Sequence, residues 1–363
     1  MRLELWPKWC QKKPSSTHWY VANLPLISFC SSPLSKLPVF ESLRWDVVWH
    51  VRHSALFALP AILARLSPAQ RRTVALETVV TLSADRNGTV RSGVLEALGE
   101  VIYTFRKDVD GPPEALVHLF LGSKEDPSQT KDQHILTPLE LFYSDPKRPL
   151  ICAFNFPAVA LTLGRRRWSE LRETYLSLTT SLTCGVRRTL AASLGELAKI
   201  IGMDNTQKDL LSVWWLYIDS EDESVRTKAL ESLYDIIGVV GNEMGRSLVQ
   251  GLLTRWDGDT FRGWRERETV LKNIVSWVNR IGLDSALVAR GLLLKGLEDN
   301  VAAVREAAIV AVSFSFPFPC FCAPIVFPRS LRCGFYFHHS ERSSMIFVIT
   351  YDSWQPRRSI EDV

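Results

Sequence analysis

The tightest constraint on this chain is a beat of about 39 residues. Within Cys184–Gly241, Val186-Arg187 and Val225-Arg226 stand 39 residues apart. Each pair follows a polar turn and opens a long amphipathic run at helical spacing. The unit therefore reads helix, turn, helix, and then repeats. The beat extends in both directions. Val51-Arg52 and Val90-Arg91 are also 39 apart, and Pro149, Arg187, Arg226, Arg265 and Arg305 continue it in steps of 38, 39, 39 and 40. Pro149 takes the arginine slot because Phe156-Pro157-Ala158 superposes on Leu59-Pro60-Ala61. The step from Arg91 to Pro149 then equals one repeat plus an insertion of about 19 residues.

A pair of helices this short cannot bury its apolar face alone, so neighbouring pairs must stack. Leu56, Leu59 and Leu63 share one helix face, and Leu95, Leu98 and Ile102 do the same one repeat later. The spacing predicts an all-α solenoid of the HEAT/armadillo type, with about seven helix pairs over residues 45–312. Ser67-Pro68-Ala69-Gln70 is a helix start: serine caps, proline takes the first turn, and glutamine completes a capping box. Asp46, Asp85, Asp259 and Asp299 each stand six positions before a slot arginine. They are expected to cap the second helix, with the arginine binding that carboxylate or the turn. Residues 1–44 read as an irregular N-terminal extension, and about 122–148 as an inserted loop. Residues 313–363 have no helical period and read as a non-repeat tail. Their Phe, Pro, Cys and Ser use pyrimidine-rich codons, and Val312-Ser313 is what a 5′ splice signal yields in frame. Unspliced intron or a wrong reading frame is the expectation there.

Charge separates the repeats from the ends. Residues 1–44 hold six Lys/Arg against two Asp/Glu, and residues 313–363 hold five against four. That leaves 32 against 33 for 45–312, a nearly neutral span that disfavours a dedicated nucleic-acid surface. The seven cysteines are scattered and odd in number, which points to a reducing compartment. With no signal-peptide core in MRLELWPKWCQKK, cytoplasm, with the nucleus besides, is the expected location. The uncharged run from Ala307 to Pro328 carries Pro317, Pro319, Pro324 and Pro328, so no membrane span is expected.

Motifs for chemistry are missing. Cys320, Cys322, Cys333, His338 and His339 lack the usual zinc-arm spacing. No histidine precedes a glutamate, and no phosphate loop or nucleophile elbow occurs. The expectation is no enzyme, no cofactor and no metal. Asn87-Gly88-Thr89 reads as a turn rather than a glycosylation acceptor. Arg165-Arg166-Arg167 and Arg187-Arg188 read as solvated faces, with contact to an acidic partner as the alternative. Trp45, Trp49 and Trp264 fall in or beside turns, where stacking within the turn is the simpler reading.

The blocks FNFPAVALTLG, RW and VRRTLA within Cys152–Gly202 carry a resemblance. CAFNFPAVALTLGRRRWSELRETYLSL followed by GVRRTLAASLGELAKIIG resembles the family of regulatory subunit 1 of serine/threonine protein phosphatase 4, over about residues 45–312. More distantly it is similar to the scaffolding subunit of protein phosphatase 2A. The resemblance implies a HEAT superhelix that binds a phosphatase catalytic subunit and directs it to substrates. Stacked repeats would align their intra-repeat turns as a ridge, and the candidate contact residues lie there: Asp85, Arg86, Thr89, Asp219, Glu221, Asp222, Glu223, Asp257, Asp259 and Trp264. An importin-type transport-receptor fragment is the alternative binding class. A HEAT-like DNA glycosylase is the enzymatic alternative.

Overall fold

The computed structural model describes residues 33–122, 136–282 and 286–315. All regular structure among them is helical, and it falls into seven pairs. The pairs are α1 (Pro33–Arg44) with α2 (Trp49–Leu63), and α3 (Pro68–Ser83) with α4 (Gly88–Tyr103). In the third, α5 (Glu114–Leu121) and α6 (Pro138–Tyr143) together face α7 (Arg148–Leu163). Next come α8 (Trp168–Thr179) with α9 (Cys184–Asn205), and α10 (Leu211–Ile218) with α11 (Glu223–Val240). The last are α12 (Asn242–Asp257) with α13 (Trp264–Ile281), and α14 (Ala286–Leu297) with α15 (Ala302–Ser315). The second helices form one layer, in which α2, α4, α7, α9, α11, α13 and α15 each pack on the next. A continuous apolar spine runs between the two layers, from Phe40 to Ala311. The solenoid expected from the period is present.

Helix ends explain the beat. Gly164, Gly241 and Gly282 follow α7, α11 and α13, and Gly202 breaks α9 near its end, all at φ between 74° and 102°. L-residues with a Cβ rarely adopt this conformation. Each glycine turns the chain out of the second helix and into the next pair, at intervals of 38, 39 and 41 residues. At Gly241 an added Cβ would meet nothing within 4 Å. Gly241→Ala is therefore expected to cost about 1–3 kcal/mol through backbone strain alone, read as a lowered midpoint in urea denaturation.

The structure moves several boundaries. Residues 33–44, read as irregular, form α1, because Phe40 buries where α1 packs on α2. The segment read as a loop contains α6, started by a Thr137–Glu140 capping box and anchored by buried Phe142. Residues 123–135 of that segment lie outside the described residues. At the other end, α15 runs to Ser315, past the expected limit at 312. The tail from 316 onward, with its cysteines and histidines, lies outside the described residues. Among the described residues no helix is long and apolar enough to cross a membrane.

The arginine slot is the fourth residue of each second helix: Arg52, Arg91, Ile151, Arg187, Arg226, Arg267 and Arg305. Two assignments from spacing therefore change. Ile151, not Pro149, holds the third slot, and Arg267, not Arg265, holds the sixth. The sixth shifts because its intra-repeat turn is longer. Six of the turns have four residues, at 45–48, 84–87, 144–147, 180–183, 219–222 and 298–301, whereas 258–263 has six.

Candidate partner-binding ridge

The slot arginines build the ridge. Arg52 Nη1 donates to the carbonyls of Asp46 (2.7 Å) and Val47 (3.0 Å). Arg91 does the same to Asp85 and Arg86, Arg187 to Ser181 and Leu182, and Arg267 to Phe261 and Arg262. Arg226 reaches Ser220, and Arg305 reaches Asp299. Turn carbonyls that no helix satisfies are thereby paired with a cation. Three of these arginines also reach forward to the next repeat. Arg52 grips Asp85 at 2.8 and 2.9 Å, Arg267 grips Asp299, and Arg226 grips Glu266. One guanidinium thus closes its own turn and ties that turn to its neighbour.

Of the two expected partners of the arginine, the turn is the one found: it binds the aspartate's carbonyl, not its carboxylate. The expected use of the aspartates as helix caps changes. The carboxylates of Asp46, Asp85, Asp145 and Asp299 accept the backbone N–H two residues on, at 2.7 to 2.8 Å, which shapes the turn. Asn87, not Asp85, caps α4, by accepting from Thr89 N–H at 2.9 Å. Asp259 has no place in this series. It sits at φ 60° in the long turn, and Phe261 supplies the carbonyl instead.

Most of the candidate acids are already engaged. Burial pushes the Asp85 carboxyl up, but Arg52 and the Asn87 N–H outweigh it and hold it below the usual range. Asp219 takes a two-pronged grip from Arg255 at 2.6 and 2.8 Å. Asp257 pairs with Lys295 at 2.5 Å. Glu223 lies over Gly263, where a Cβ would meet its carboxylate at about 3.0 Å. Asp222 caps α11 through the N–H groups of Ser224 (2.9 Å) and Val225 (3.4 Å). Arg86, Thr89, Glu221 and Asp259 are exposed, and Trp264 is 36% exposed.

The fold splits the candidates into two groups. Asp85, Arg86 and Thr89 sit between the first and third turns, linked to them by Arg52–Asp85 and by Ser92–Asp145 at 2.6 Å. The others lie three and four turns further along. There Arg255–Asp219, Arg226–Glu266 and Arg267–Asp299 join the fifth, sixth and seventh turns. A cleft of about 340 Å³ opens between the sixth and seventh turns, with Trp256, Phe261 and Asn300 among its walls. Arg262 and the Arg265–Trp264 stack, in which the guanidinium lies 4.6 Å from the ring, do not follow from the repeat spacing. Their signal was the uneven turn length, which an arginine count smooths over. Trp45 and Trp49 behave as the simpler reading expects: Arg44 stacks on Trp45 and His50 on Trp49.

The Asp222 cap is testable through pH. The Cys184 thiol and the Ser224 hydroxyl donate to its carboxylate and hold its pKa down to about 2, from 3.8. A depressed carboxyl pKa contributes stability above the unfolded value and loses it as pH falls through the folded one. Asp222→Ala should cost about 1 kcal/mol at neutral pH. In urea denaturation the gap from the parent should shrink between pH 4 and 2.

Among the described residues no group of three or more His, Cys, Asp or Glu could hold a metal ion. Burial pushes the Cys152 thiol up to about 11, where it is a poor nucleophile.

With this geometry in place, comparison with known proteins adds a likeness. Residues 152–254 match the family described as the protein phosphatase 4 regulatory subunit 1 middle domain. The chain is 35% identical over 207 residues to the human serine/threonine-protein phosphatase 4 regulatory subunit 1, covering 56% of this chain and 20% of that relative. The mouse protein of the same name matches with the same figures. The chain thus spans about a fifth of the length of these curated relatives. Among solved structures, a designed armadillo repeat protein is similar over 77% of this chain and all of its own, at 15% identity and a TM-score of 0.32. The family match falls on the blocks that carried the sequence resemblance and includes the fourth and fifth turns, so this chain is similar, through the middle of its helical stack, to regulatory subunit 1 of serine/threonine protein phosphatase 4.

Proposed function

We propose that this chain is a non-catalytic regulatory or scaffold subunit. It binds a serine/threonine protein phosphatase catalytic subunit of the phosphatase 4 or 2A type and directs it to substrates, in the cytoplasm and nucleus. One observation carries this reading: a seven-pair stack whose middle matches the phosphatase 4 regulatory-subunit family. The architecture agrees with it. Stacked repeats offer an extended surface to a protein partner. The near-neutral charge of 45–312 supports a protein partner over nucleic acid.

The test is capture of purified phosphatase 4 catalytic subunit by the immobilised chain. A small GTPase and duplex DNA are run as competing candidates. Retention of the phosphatase with neither of the others supports the reading. Retention of the GTPase alone would favour a transport receptor. DNA binding that weakens steeply with salt would favour a glycosylase-like protein.

A further inference from the structure

The ridge residues left over after internal pairing point to a specific contact. Asp85, Asp219, Asp222, Asp257 and Asp299 are each held by a cation, a thiol or a turn amide of the chain itself. An acid so engaged is part of the scaffold. The long sixth turn behaves differently. It has two residues more than each of the other turns. Arg262 and Arg265 are exposed, and among the described residues neither forms an ion pair. Arg265 instead stacks on Trp264, holding an exposed indole and a charged guanidinium in one plate. Tryptophan and arginine are among the residues most enriched at binding hot spots, and here, among the described residues, the arginines are presented without an ion-pair partner.

We propose that the sixth turn docks an acidic segment of a protein partner. Arg262 and Arg265 face its carboxylates, and Trp264 packs on its backbone or an apolar side chain. This rests on the reading of the ridge as a partner-binding surface, and it assigns the contact to cations and an aromatic rather than to the acids.

The experiment is fluorescence anisotropy of the full chain with a fluorescein-labelled hexaglutamate peptide, and hexalysine as the control. Hexaglutamate should bind and hexalysine should not. The double variant R262E/R265E should weaken binding about tenfold, and Trp264→Ala by a similar factor. R165E/R166E, at the other arginine cluster, should change it less than about twofold. Circular dichroism melts of R262E/R265E and R165E/R166E should match the parent, because the four arginine side chains are exposed. Unchanged affinity in R262E/R265E, or an equal loss in R165E/R166E, would overturn the proposal. So would duplex DNA binding more tightly than the peptide with the same variant dependence. Capture of the phosphatase catalytic subunit is measured in parallel. Peptide binding through the sixth turn without phosphatase capture keeps this inference and removes the reading above. Phosphatase capture with no effect of R262E/R265E on the peptide does the reverse.

Discussion

Arg226→Ala is expected to destabilise the protein by about 3–5 kcal/mol. The Glu266 side chain is fully buried and that of Arg226 is 10% exposed, and the two are bonded directly. The guanidinium also holds the Ser220 carbonyl, so its loss opens the fifth turn as well. Removing the arginine strands a buried carboxylate, which is far costlier than never having placed a pair there. The variant also carries a pH signature. Burial pushes the Glu266 carboxyl up, and Arg226 pulls against it. A carboxyl whose folded pKa is raised contributes stability below its unfolded value and loses it as pH rises through the folded one. Without Arg226 only the Gly263 N–H opposes the upward push, so the cost should grow as pH rises and shrink in acid. Urea denaturation of parent and variant across pH 4 to 7 checks both the size and the slope. A pH-independent cost under about 1 kcal/mol would show that the pair carries no such weight.

Trp214→Ala should cost about as much, roughly 3–5 kcal/mol, by a different route. Trp214 is fully buried on α10, and its indole N–H donates to the Ala229 carbonyl of α11 at 2.8 Å. Trp215 crowds it edge-on at 4.5 Å between ring centroids. Truncation leaves a large cavity between the layers of the fifth pair, and a close-packed interior collapses only partly to fill it. In a solenoid each pair is stabilised by its neighbours, so the loss should spread outward from the middle of the stack. Hydrogen exchange should show faster opening first in α10 and α11, then in α9 and α13, with α2 and α4 least affected. Uniform acceleration along the whole chain would argue instead for one cooperative unit.

These two sites also show how far the residues could be read in order. Trp214 was legible as spine, because its place in an apolar run at helical period leaves it nowhere else to go. The Arg226–Glu266 pair was not. Its partners lie 40 residues apart, and glutamate at 266 carries no mark that separates it from a surface acid. The slot arginines were legible as a series in five places out of seven. At Arg267 and Ile151 the count slipped by two, because a six-residue turn and an insertion changed the local interval while the average stayed near 39.

The candidate contacts follow the same division. Their location on the ridge came from periodicity, since stacked repeats must align their turns. Which of them are free came only from the fold, because Asp219 meets Arg255 and Asp257 meets Lys295 across repeat boundaries.

What the sequence alone determined is the repeating helix pair, the spine and the family resemblance, because each depends on residues close in the chain. What the tertiary structure decided is that residues 33–44 join the stack, which arginines tie its turns, and which ridge side chains remain for a partner. Those depend on contacts between successive repeats, some 30 to 40 residues apart, and the length of a single turn sets which residues meet.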